Sequence, residues 1–187
     1  MAALRLTALG GLVGPAAFVG AWAVGGAAAR NYSPVDDAIS RLAAVDASTR
    51  GLMTGGFVVF GVGLPLYGLA LRDRLSGPAW ASAVATGLAT LGVAAFPLDR
   101  SPTLDVVHGA FASIGYATLA SVPLLAAAPL RAEGKTRAAA ASLAIGALSG
   151  ACLLATLAGR RHGLFQRAGL TAGDAWIVAS ALWLMRR

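Results

Sequence analysis

The chain has 187 residues, 57% of them hydrophobic and 12% charged, with a mean hydropathy of +0.71. An average soluble domain is about 25% charged, so this composition excludes both a soluble globular domain and a disordered chain. The net charge of +7 would suggest nucleic acid in a soluble protein. Here the basic residues sit in short stretches between apolar runs, where they orient a membrane protein and touch anionic head groups, so no nucleic-acid partner is expected.

The length fits a single domain, 1–187, and the 24 glycines suit helices that pack closely in lipid. A spanning helix needs about 20 mostly apolar residues. Six runs qualify, roughly 6–29, 51–71, 78–96, 104–128, 136–158 and 168–185, which predicts an all-α bundle of six transmembrane helices. The first run also resembles a signal peptide, with Arg5 before it and Ala27, Ala28 and Ala29 at its end. Its apolar stretch is longer than a signal h-region, so a retained helix is expected.

Between Arg30 and Arg50 lies the longest connection. Ser33, Pro34 and Asp36 read as a capped helix start. Beyond it Val35, Ile39, Leu42 and Val45 share one face and Asp36, Asp37, Ser40 and Arg41 the other, predicting an amphipathic interfacial helix over roughly 34–46. Asp37 and Arg41 are spaced as a local ion pair. Pro65 predicts a kink in the second span. Small residues four apart, at Gly10 and Gly14, at Gly51 and Gly55, and at Ser142, Gly146 and Gly150, predict close seams, chiefly within the chain. Cys152 stands alone in an apolar run, as a small packing residue with no disulfide partner. No repeat matches the long first loop with a later one, which argues against a duplicated transporter.

Six crossings put the first, third and fifth connections on one side and both termini on the other. The termini side carries Arg5, Arg72, Arg74, Arg131, Lys135, Arg137, Arg186 and Arg187, and the opposite side Arg30, Arg41, Arg50, Arg100, Arg160, Arg161 and Arg167. The second set is diluted over a longer loop, so the expected location is the cell membrane with both termini cytoplasmic. Asp36, Asp37, Asp46, Asp99, Asp105 and Asp174 gather on the loop-rich side with His108 and His162, against Asp73 and Glu133 on the other. Any site is expected there, close to Ser40, Gln166 and Arg167.

The densest chemistry runs from Phe96 to Gly109. Ser101 and Pro102 read as a helix start, which sets Asp105 and His108 on one face, His108 about 9 Å along the axis from Pro102. Asp105 could then accept the imidazole N–H. Such a pair ties helices together, or serves as proton acceptor, metal ligand or head-group anchor. Arg167 could neutralise Asp36, Asp37 or Asp99, and Asp174 could meet an arginine of the first loop, as rim ion pairs or as a clamp for phosphate or carboxylate.

Tyr32-Ser33-Pro34 with Ile39-Ser40 and Leu42, Phe96-Pro97 with Asp99, His108-Gly109, and Gly163-Leu164-Phe165-Gln166-Arg167 together resemble the prokaryotic membrane proteins grouped as domain-of-unknown-function family 998. The resemblance spans nearly the whole chain. It implies a six-helix membrane domain with marked positions at Ser40, Asp99, His108 and Arg167, and brings no established activity. The same positions loosely resemble the ceramidase-related and progestin-receptor-related membrane hydrolases, which set Ser, Asp and His around zinc. With two histidines, one chain cannot form a three-histidine site, and the HxxxH spacing is missing.

Two functions follow as expectations. One is a non-enzymatic binder of a lipid head group or small amphiphile, or an assistant to a membrane partner, using Asp36, Asp37, Ser40, Asp99, His108 and Arg167. The other is a membrane-embedded, hydrolase-like enzyme with His108, Asp105, Asp99 and Ser40 as catalytic candidates. No cofactor and no dedicated metal site is expected, and the partners are membrane lipids, a membrane protein or a second copy. Coupled transport would place ionisable groups near the midplane, whereas these charges sit at one rim.

Overall fold

The structure, a computed structural model, describes residues 2–186, and among them it is entirely helical. Arg187, counted above with the termini side, lies outside the described residues. Helices α1 (Ala2–Ala8) and α2 (Gly10–Ala28) run almost end to end, because the Val13 N–H still donates to the Leu9 carbonyl at 2.9 Å. A 3-10 turn, Ile39–Ala43, follows in the first loop. Then come α3 (Arg50–Arg72), α4 (Ala79–Ala95), α5 (Pro102–Ala132), α6 (Thr136–Ala155), a second 3-10 turn at Thr156–Ala158, and α7 (His162–Met185). Five helical stretches are long and apolar enough to cross a membrane: Leu4–Ala28, Arg50–Arg72, Pro102–Ala132, Thr136–Ala158 and His162–Met185. The sixth apolar helix, α4, is shorter, with 17 residues.

Consecutive helices pack side by side, and α7 closes the ring against α1 and α2. Glycine sets the closest approaches. A Cβ on Gly10 would lie 2.2 Å from the Gly63 carbonyl oxygen, and one on Gly87 would lie 2.4 Å from the Pro65 ring and 2.7 Å from the Gly61 oxygen. Helix α3 runs unbroken through Pro65, whose ring fills the space that Gly87 leaves. The expected seam at Gly146 forms against Leu124 and the Ala120 carbonyl, whereas Gly51 and Gly55 meet nothing within 4 Å. Hydroxyls and one indole tie the buried faces: Tyr67 to Ser180 at 2.6 Å, Trp176 to Ser142 at 2.8 Å, and Ser149 to the Gly169 carbonyl at 2.7 Å. In an apolar surrounding such groups must find partners within the chain.

Two expectations about elements are corrected. The first loop holds no α-helix over 34–46: one turn at Ser33 is followed by the five-residue 3-10 turn. The reason is competition for backbone groups. The Pro34 and Asp37 carbonyls accept from Arg167, the Val35 carbonyl accepts from Leu164 N–H, and Ile39 N–H donates to Gln166, so the groups that would build an α-ladder are bonded to α7 instead. The apolar face nevertheless has a destination, since Ile39 and Leu42 are each 1% exposed inside the bundle while Val35 stays outside. Helix α7 begins at His162 rather than near 168, so Gln166 and Arg167 stand on its second turn and not in a connection.

Candidate functional site

The first loop is folded inward and pinned over one end of the bundle. Its entry turn is local: Ser33 Oγ accepts from Asp36 N–H at 3.2 Å and donates to the Asp36 carboxylate at 2.8 Å. The backbone N–H of Ser33 donates at 2.8 Å to Asp37, one residue beyond the acid that the capping pattern suggested. Both carboxylates are thus occupied in shaping the turn.

Arg167 holds that turn down. It is 9% exposed and spends its guanidinium on oxygens: the carbonyls of Pro34 at 2.7 Å, Asp37 at 3.1 Å and Gly163 at 2.9 Å, and the hydroxyl of Tyr32. Its plane also lies 5.4 Å from the ring centres of Trp22 and Tyr32. The expected ion pair between Arg167 and Asp36, Asp37 or Asp99 does not form, because backbone carbonyls have taken the fork. Among the described residues only Nε finds no hydrogen-bond partner. Burial pushes the Tyr32 phenol above its ordinary value of 10.0, with the neighbouring Arg167 opposing, so the hydroxyl is protonated at neutral pH.

Gln166, 3% exposed, joins the loop to α5 by accepting from Ile39 N–H at 2.8 Å and donating to the Tyr116 hydroxyl. One turn of the loop further on, Val45 N–H donates to the Leu98 carbonyl at 3.1 Å, and Arg41 Nη1 donates to both carboxylate oxygens of Asp99, at 2.9 and 2.8 Å. Arg41 therefore pairs across connections and not with Asp37. Asp99 adopts φ 65°, and its N–H donates to Asp105 at 3.0 Å. Ser101 caps α5 as expected, accepting from Leu104 N–H at 3.3 Å.

This arrangement corrects the expected contact between Asp105 and His108. Asp105 is used on the Asp99 turn, and His108 Nδ1 lies 2.7 Å from the Phe96 carbonyl instead. A carbonyl only accepts, so Nδ1 carries the proton and Nε2 of the neutral ring presents a lone pair. The residue is 4% exposed and Nε2 has no hydrogen-bond partner among the described residues. An unmatched buried acceptor costs about 1–3 kcal/mol.

His108 stands in the wall between two spaces. The inner one, a cavity of ≈ 50 Å³, lies between Phe18, Phe57, Phe60 and Phe111 and reaches Ser40, Tyr116 and Gln166. An outer groove of ≈ 580 Å³ runs between α5 and α6 from Ser40, His108 and Tyr116 past Ala117 and Gly150 to Leu154, Leu157 and His162. That volume is in the range of small-molecule sites. Leu154 and Leu157, at the outer end, are 68% and 82% exposed.

Of the sequence-predicted residues, Ser40 and His108 line both spaces. Asp36, Asp37, Asp99, Asp105 and Arg167 line neither and shape the loop and its neighbours. Asp174 is not at the rim: it is 3% exposed in the middle of α7, and among the described residues its carboxylate oxygens have no hydrogen-bond partner, so no arginine of the first loop reaches it. Tyr116 was missed by the sequence reading. Its signal was the helical stripe His108, Ala112, Gly115 and Tyr116 running along α5. Among the described residues no three His, Cys, Asp or Glu side chains gather as metal ligands would, so the residues present do not fit the zinc of the ceramidase-like hydrolases.

Fold and site together define a helical bundle of the membrane type, with a polar-ended cavity beneath a clamped loop. The chain belongs to the family described as protein of unknown function (DUF998), whose family model matches residues 12–183. No curated protein and no solved structure matches it.

Proposed function

We propose that the chain is a six-span membrane protein, both termini cytoplasmic, that binds an amphiphile from the surrounding bilayer. In this reading α4 is the sixth span, and the site faces the extracytoplasmic side with the first, third and fifth connections. The apolar part of the ligand lies in the groove between α5 and α6, entering past Leu154 and Leu157, and its polar end sits beneath the loop at His108. The observation that carries this is one buried acceptor, His108 Nε2, left unpartnered in the wall of a groove whose outer end is lined by exposed leucines. Polar residues at such depth usually face a bundle interior or a ligand path.

Native mass spectrometry of protein purified in mild detergent tests it. The expected result is a co-purifying amphiphile that Ala117→Trp, which fills the groove from its exposed wall, removes, and that Leu88→Trp, on an exposed position of α4, leaves in place. Identical lipid complements in all three proteins would refute the binding site.

A further inference from the structure

We infer that the amphiphile is uncharged and carries a hydroxyl group at its polar end; this deepens the proposed binding function and rests on it. Three observations on the two spaces converge. First, neither lining contains an Asp, Glu, Lys or Arg side chain, His162 lies only at the outer end of the groove with Nδ1 3.3 Å from the Thr156 carbonyl, and the buried cation Arg167 lines neither space and has both terminal guanidinium nitrogens on carbonyls and Tyr32. A phosphate or carboxylate would enter with no countercharge, and an ammonium group with no carboxylate, each at a desolvation cost of several kcal/mol.

Second, His108 Nε2 asks for a donor, because the proton of the neutral ring is held on Nδ1 by the Phe96 carbonyl at 2.7 Å. A carbonyl, an ether or a carboxylate has no proton to give. Third, the Tyr116 hydroxyl accepts from Gln166 and keeps its own proton, so the same lining also offers a donor. A hydroxyl both donates and accepts. Ser40, on both spaces and with a side chain free of hydrogen bonds among the described residues, can complete the set. A long-chain or isoprenoid alcohol, or a glycerolipid ending in a free hydroxyl, meets these demands.

The test uses full-length protein in nanodiscs of zwitterionic lipid and three diazirine-bearing probes of one chain length: a fatty alcohol, its methyl ether and the matching fatty acid. Adducts on α5 and α6 are quantified by peptide mass spectrometry. The alcohol is expected to label the groove on the order of tenfold more than the ether and the acid, the worth of one buried hydrogen bond. In His108→Phe the alcohol falls to the level of the ether. Equal labelling by alcohol and ether in the wild-type protein, or a preference for the acid, overturns the hydroxyl inference while leaving an amphiphile site standing. No groove labelling by any probe overturns the site itself. The comparison of probes on wild-type protein decides the matter even if His108→Phe does not fold.

Discussion

Replacing Arg167 with methionine is expected to destabilise the protein by about 3 kcal/mol or more and to release the first loop. The side chain closes three carbonyls and a phenol with one planar fork, and methionine keeps much of the packing against Trp22 while removing every donor. Hydrogen bonds to a charged group contribute about 1.5–3 kcal/mol each, and here two of the carbonyls, Pro34 and Asp37, belong to a segment that has no helix of its own to fall back on. Melting in detergent, followed by intrinsic fluorescence, should fall by roughly 10 °C for a chain of this size. Trypsin should then cut at Arg41, which is already half exposed on its side chain but sits in a loop held at both ends. Arg167→Lys should recover less than half of the loss, because a single ammonium cannot span carbonyls that lie in different directions. A methionine variant that melts and resists trypsin like the wild-type protein would show that the loop is held by its apolar contacts alone.

Gly87→Val carries the second large effect, about 2–3 kcal/mol of destabilisation. The new Cβ would meet the Pro65 ring at 2.4 Å and the Gly61 carbonyl at 2.7 Å, and neither is the far end of a flexible chain. Helix α4 would have to move away from α3, at the cost that overpacking normally brings. Because Thr86, Thr90 and Val93 of α4 line the inner cavity, the same shift should widen it. Gly51→Val is the matched control: a Cβ there meets nothing within 4 Å, so stability should stay within about 0.5 kcal/mol of wild type. Thermal unfolding of the two variants side by side checks the pair, and equal losses would mean that the tight crossing of α3 and α4 is wrong.

That contrast also marks what a sequence can say. The apolar runs placed the five long helical stretches and the shorter α4 to within a few residues, except at the start of α7, because burial in lipid or bundle demands continuous apolar stretches whatever their partners. The four-residue spacing of Gly51 and Gly55 looked like that of Gly146 and Gly150, yet only the second pair has a neighbour close by. Spacing defines a face and not what the face meets. The loop misled for a related reason. Its periodicity was real, since Ile39 and Leu42 are buried, but Arg167 and Gln166 compete for the backbone groups a helix needs, and they lie about 130 residues further along the chain.

The candidate site was legible in its parts. His108 stood out as a polar residue at apolar depth and Ser40 through the family resemblance, and both line the cavity. Asp105 and His108 were paired by local spacing, while the fold offered His108 a carbonyl from the end of α4 and gave Asp105 the strained backbone of Asp99. Tyr116 stayed hidden because a tyrosine in an apolar helix is usually core. Its hydroxyl gains meaning only beside Gln166.

A density map of the protein in lipid nanodiscs bears most directly on the claim that His108 receives a ligand from the bilayer. The account predicts elongated density in the groove between α5 and α6, entering near Leu157 and ending within hydrogen-bonding distance of His108 Nε2. A groove closed by its own side chains, with Nε2 bonded to a group of the protein, would contradict it.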